Sequence, residues 1–310
     1  MRVTSNSYSE NLITQLHTLA RRQISLQNQI ATGQRVQNAS DDPFAAQQVL
    51  QLRDDAAANT QYQKNIQTHQ EYADATHGLM RNLQKVLDRS QEIATMVDDL
   101  DSAEDLKSYA TEIDQLLKHA VQVANAQHRG DYLLGGTRTD APPFSVVTDA
   151  TGKVTSVSFG GNTNVPESEI GQGNLVSSRI PGENSTGNGV RGLVADTRSG
   201  ADIFAHLIAL RDQLQSGDVA AIATTRDQLR ADEENLLFHI ADNGALQSRL
   251  EASLNTAKDE KLSLESQISN RTDVDLPATI GRLNQEQTTY QAALQSAGSL
   301  LDLGLLPFLR

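Results

Sequence analysis

Two heptad seams, one near each end of the chain, restrict the fold more than any other feature. In the first, Leu12, Leu16, Leu19, Gln23, Leu26 and Ile30 alternate steps of four and three residues, the spacing that keeps one helical face against a partner helix. In the second, Leu276, Ile280, Leu283, Gln287, Tyr290, Leu294, Ala297 and Leu301 continue the same alternation. Each seam seats a Gln at an inner position, and Gly33 supplies the stop expected of the first helix. The matched patterns predict that the two ends pair as helices.

The sequence between them is organised in the same terms. Asn38-Ala39-Ser40-Asp41-Asp42-Pro43 offers an acidic cap and then a proline at the first helical position, a helix start. A long helical tract follows, with a seam at Leu79, Leu83, Val86, Ser90, Ile93, Val97 and Leu100. It pauses near Asp101-Ser102, resumes through Leu106, Ala110, Ile113, Leu117, Ala120 and Ala124, and is expected to stop at Gly130. From Gly135 to about Gly200, Pro142, Pro143, Pro166 and Pro181 among many Gly, Asn, Ser and Thr exclude long helices. Phe144–Val147 and Val154–Phe159 flank the turn residues Asp149-Ala150-Thr151-Gly152 and predict a β-hairpin. Helix returns at Asp202–Leu207, breaks at Ser216-Gly217-Asp218, and runs on with a seam including Leu250, Leu254, Ala257, Leu264 and Ile268.

The expected fold is therefore mainly α: an elongated antiparallel bundle of long helices with paired terminal helices and a small inserted β module. The expected domains are a terminal helical core (1–40 with 270–310), a helical bundle (41–140 with 200–269) and a β-rich insertion (141–199).

Charge and composition narrow the function. With 26 basic against 39 acidic residues, the formal charge of -13 repels phosphate backbones and anionic membrane surfaces, so neither nucleic acid nor membrane is an expected partner. Cys is absent, which excludes disulfides, thiolate metal sites and a cysteine nucleophile. Aromatic residues form only 4% of the chain and Trp is missing, a poor supply for a large enzyme core. His69 with His77 and His119 with His128 are too loosely spaced to specify a metal site. Gly135-Gly136 and Gly160-Gly161 lack the Gly-Lys-Ser/Thr that would make a phosphate cradle, and the adjacent Glu233 and Glu234 diverge on a helix. No cofactor and no catalysis are expected. The polar opening residues lack the apolar core of a cleavable signal, which leaves a cytoplasmic chain or export by a route that reads no such signal.

A contrast in charge then points to assembly. From 11 to 34 the only charged side chains are Arg21 and Arg22, and from 276 to 301 only Arg282 and Glu286, whereas the middle tract is studded with residues such as Glu71, Asp74, Asp88, Glu92 and Asp98. A free two-helix coil normally lines its seam with charge. Terminal helices without it are suited to contact on several faces, and are expected to order fully when neighbouring subunits cover them.

Two stretches carry a resemblance. Gln29-Ile30-Ala31-Thr32-Gly33-Gln34-Arg35-Val36 with Asn38–Pro43, and Thr272-Asp273-Val274-Asp275-Leu276-Pro277 with the Gln-rich heptads and the apolar tail Leu300–Leu309, resemble the flagellin family. Within it, Gly130–Phe144 and Asp202–Leu214 are similar to members found where hook meets filament. The resemblance implies export of an unfolded chain through the flagellar type III pathway with a chaperone. It implies an extracellular place in the flagellum, a ring-like homo-oligomer, and contact with a neighbouring hook-associated protein and flagellin. It assigns Leu12, Leu16, Leu19, Leu26, Ile30, Leu276, Ile280, Leu283, Tyr290 and Leu294 as assembly contacts. The alternatives are a short flagellin forming the filament itself, since an Arg-terminated tail is shared with flagellins, and a secreted needle-type tip or binding protein.

Overall fold

A computed structural model describes residues 3–98 and 101–305. Leu100 of the middle seam and the tail Leu306–Arg310 lie outside them, as does the side chain of Leu301. The elements, in order, are helices α1 (Val3–Thr32), α2 (Pro43–Met96) and α3 (Ala103–Ala124); short strands β1 (Gln127–His128), β2 (Asp131–Tyr132), β3 (Phe144–Thr148), β4 (Val154–Phe159), β5 (Ser168–Gly171), β6 (Asn174–Val176), β7 (Glu183–Asn184), β8 (Ala195–Asp196) and β9 (Ala201–Asp202); and helices α4 (Ile203–Ser216), α5 (Val219–Thr272) and α6 (Leu276–Leu305). The chain is mainly α with small strand ladders, and α1 pairs with α6, as the heptads predict. It forms two compact units: Met1–Ala58 with Glu260–Arg310, and Asn59–Asp259.

In the second unit, α2 and α5 run antiparallel, and long amide side chains pin their register to within one helical turn. Gln63 donates to the Ala257 carbonyl (3.1 Å), Asn243 to that of Ala73 (3.2 Å) and Gln91 to that of Leu229 (3.2 Å). Helix α3 adds a third layer because its apolar residues recur at helical spacing: Leu106, Ala110, Ile113, Leu117, Ala120 and Ala124 are all buried. The pause before it is a cap, with the Ser102 hydroxyl accepting the Asp105 N–H (3.2 Å) and donating to the Asp105 carboxylate (2.5 Å). Helix α4 starts at Asp202, whose carboxylate accepts the Ala205 N–H, and ends at Gly217 with φ +72°.

The helix expected to reach Gly130 stops at Ala124. Asn125 ends it by acting as a surrogate strand, its amide donating to the Phe144 carbonyl (2.8 Å) and accepting the Phe144 N–H (2.9 Å). Arg129 and Gly130, both at positive φ, then turn β1 back into β2. The expected hairpin forms as β3 and β4, antiparallel, its turn held by the Asp149 carboxylate, which accepts from the Thr151 and Lys153 N–H groups.

The segment 141–199 shares the core of the helices. Phe144, Val154, Leu193 and Val194 are buried in one cluster with Leu83, Ile113, Leu117 and Leu207. Polar side chains tie it down further. Asn235 donates to the carbonyls of Gly192 (3.0 Å) and Leu193 (3.1 Å), His239 lies 3.1 Å from the Gly192 carbonyl, and His69 bridges the hydroxyls of Ser178 and Ser168. The almost fully buried Arg211 bonds the Val154 carbonyl and pairs with Asp114 (3.1 Å) and Asp212 (2.9 Å). A buried charge needs such partners.

Two of these anchors are sensitive to acid. Burial pushes the imidazoles of His69 and His239 below the ordinary value, reinforced at His69 by the charge of Arg179. Their contribution to stability is complete above the unfolded-chain value of about 6.5 and is lost as pH falls through the lowered folded values. His206 opposes this trend: burial would lower it, but Asp232 at 2.8 Å raises it overall, so its contribution is lost as pH rises instead. Lowering pH from about 7.5 to about 5.5 is expected to reduce the thermal midpoint of the wild type, and to reduce it less in His239→Gln, which a pH series of calorimetric scans checks.

Candidate assembly surface

In the first unit, a small backbone knot brings the two ends of the chain together. Gly33, at φ +73°, closes α1 with its N–H on the Gln29 carbonyl, and its own carbonyl accepts the Val274 N–H (2.9 Å). The Arg35 N–H reaches the Thr272 carbonyl (2.6 Å), and Gln34 forms an antiparallel bridge with Asp273. The Arg35 guanidinium then joins both sides, donating to the Arg271 carbonyl (3.0 Å) and to Asp42 (3.2 Å). Asp42 is the cap read from the sequence. It accepts the Ala45 N–H just past Pro43, and that bond, with Arg35 beside it, holds its carboxyl below the usual range. Asp275 caps α6 in the same way through the Ala278 N–H (3.0 Å), and Pro277 occupies a first-turn position where an N–H would have no helical partner.

The helices leaving this knot run antiparallel, and the structure separates the ten residues assigned from the sequence. Leu12, Leu16, Leu19, Leu26 and Ile30 on α1, and Leu283 and Tyr290 on α6, are half-buried. Leu276, Ile280 and Leu294 lie to the side, 43%, 45% and 45% exposed. The less exposed face of α6 consists of Thr279, Leu283, Glu286, Tyr290, Ala293 and Ala297, a heptad in a shifted phase, with Gln287 of the sequence seam half-buried beside it. An apolar pattern search passes over this phase because most of its seats are polar or small. The larger apolar residues are thereby left free, and on α1 Ile13 and Ile24 are also more than half exposed.

Much of the polar surface is already satisfied. Thr14, Thr18, Thr32, Thr288 and Thr289 each donate the hydroxyl to the carbonyl one turn earlier at 2.8 to 2.9 Å. An open cleft of about 430 Å³ lies along the pair, lined by Leu19, Arg22, Ser25, Leu26, Arg282, Gln285, Glu286 and Thr289. Arg22 and Glu286 approach to only 3.9 Å across it. Among the described residues no cluster of three or more His, Cys, Asp or Glu could hold a metal ion, and no helix is long and apolar enough to cross a membrane.

Residues 3–139 match the bacterial flagellin N-terminal helical region, a stretch that takes in α1, the Gly33–Arg35 side of the knot, α2, α3, β1 and β2. Flagellar hook-associated protein 3 of Escherichia coli K12 is 27% identical over 298 residues, covering 89% of this chain and 90% of that protein. The protein of the same name from Salmonella typhimurium LT2 is 25% identical over 325 residues, covering 98% of each. A flagellar hook-associated protein of Vibrio parahaemolyticus has the same fold, with a TM-score of 0.64 at 18% identity over 75% of this chain and all of that one. FlgL of Xanthomonas campestris gives 0.57 at 14% identity, over 69% of this chain and 98% of its own.

Gly33 tests the knot, since nothing lies within 4 Å of where its Cβ would stand and only its left-handed backbone resists a side chain. Gly33→Ala is expected to cost about 1 to 2 kcal/mol locally. Amide exchange at Arg35 and Val274 should then accelerate by a factor of about 5 to 30, with little change in the second unit.

Proposed function

We propose that this chain is a structural component of the bacterial flagellum that forms the junction between hook and filament by subunit packing of its terminal helices. The observation that carries this reading is the apolar flank of the α1/α6 pair. Ile13, Ile24, Leu276, Ile280 and Leu294 are about half exposed on a pair that has used a poorer seam for its own contact. Burying each such side chain against a neighbour is worth about 1 to 2 kcal/mol, so a handful suffices to select the assembled state. The relatives that match along nearly the whole chain are named hook-associated protein 3, which favours the junction over the filament.

Several parts of the reading go further than the names. The subunits form a closed ring, contacting a hook-associated protein on one side and flagellin on the other. The chain reaches its extracellular place through the flagellar export route with a chaperone, and its role is architectural and not catalytic. Leu12, Leu16, Leu19, Leu26, Ile30, Leu283 and Tyr290 set the pair, while Leu276, Ile280 and Leu294 meet the neighbours.

The test is to add the purified protein to isolated hook fragments and image the ends by electron microscopy. A short collar that stops growing supports the junction; long filaments would make the chain a flagellin, and bare ends would remove the assembly reading. Ile24→Asp and Ile280→Asp, both on exposed positions, should keep the wild-type helical content. Each should lower the fraction of decorated ends by about tenfold, the equivalent of about 1.4 kcal/mol.

A further inference from the structure

We propose that the α1/α6 cleft receives Asp54 of a second copy of this chain, seated between the guanidinium groups of Arg22 and Arg282. The inference rests on the assembly reading above and names the partner of that surface.

Both halves of the contact are present in the first unit and unused within it. Arg282 makes no ion pair among the described residues and is exposed; Arg22 has only Glu286 at 3.9 Å, beyond hydrogen-bonding range. Each guanidinium carries five N–H donors, so most of those facing the cleft have no protein acceptor. From 11 to 34 and from 276 to 301, Arg21, Arg22 and Arg282 face a single carboxylate, Glu286, in a chain whose net charge is -13. In the cleft itself Arg22 and Arg282 stand against one carboxylate, Glu286, a basic balance in an acidic molecule.

The matching surface lies on α2. Asp54 and its neighbour Asp55 are exposed and make no ion pair among the described residues. The residues one turn away, Gln51 and Ala58, carry no charge, and Arg53 points elsewhere as the adjacent position on a helix. One turn before Asp54, on the same face, stands Leu50, 61% exposed. That face therefore offers an apolar side chain beside a carboxylate, and the cleft offers Leu19 and Leu26 beside two arginines. Two arginines closing on one carboxylate also give a directional, charge-assisted contact that fixes the register between neighbours.

The experiment uses the whole chain and isolated hook fragments, counting labelled copies per hook end. Arg282→Glu alone and Asp54→Arg alone are each expected to reduce bound copies by about tenfold, within the range of close interfacial charge pairs. The chain carrying both changes should return to within about twofold of wild type, because every copy then offers the reversed pair. All positions are exposed, and circular dichroism of each variant confirms the fold. Single variants that bind like wild type, or a double variant as weak as the singles, would overturn the inference while leaving the junction reading intact. A wild-type chain that fails to bind hook ends would instead overturn the junction reading and this contact with it.

Discussion

Everything distinctive about the terminal helices depends on a few backbone hydrogen bonds between segments more than 230 residues apart in sequence. Gly33 and Arg35 meet Thr272 and Val274, and the Arg35 side chain extends the link to Arg271 and Asp42. These bonds fix where α1 ends, where α6 begins and in which direction each departs. A pairing of two ends of a chain closes a very long loop, and such closure is favourable only when the bonds are mutually supportive. The knot adds side-chain bonds to its backbone ones, with Asp41 accepting the N–H groups of Gln37 and Asn38 and Asp42 that of Ala45.

The knot also explains why the pair can keep a weak seam. A two-helix coil with no other support needs large apolar side chains at its interface. Here the ends are already held together, so Thr279, Glu286, Ala293 and Ala297 suffice opposite the leucines of α1. The stronger apolar residues of α6 are released for other contacts. A division of labour follows between a pair fixed by backbone geometry and a flank available for neighbours.

The sequence made the helices legible because each carries its own period and its own punctuation. The cap at Asp42-Pro43, the pause at Ser102, the break at Gly217 and the β3–β4 turn at Asp149 are local signals, and the structure places them where they were read. The end of α3 was misplaced because Asn125 acts through Phe144, 19 residues away, and no local pattern announces that bond. The anchoring of segment 141–199 was hidden for the same reason: His69, Arg211, Asn235 and His239 look like ordinary surface residues of a helix until the strand segments arrive over them. The phase of α6 was shifted because hydrophobic spacing marks the richest stripe of a helix. Which stripe is used first depends on the partner, and the partner α1 is set by the knot.

The amide bridges between α2 and α5 have an evolutionary corollary. Gln63, Asn243 and Gln91 each bond a carbonyl on the opposite helix, and the three contacts recur in reverse order along two stretches of chain separated by the whole of the strand region. An insertion or deletion in one helix would slide every later rung past its partner. Changes of length in the two stretches are therefore bound to occur together and in matching size, while the loops between them are free to vary alone.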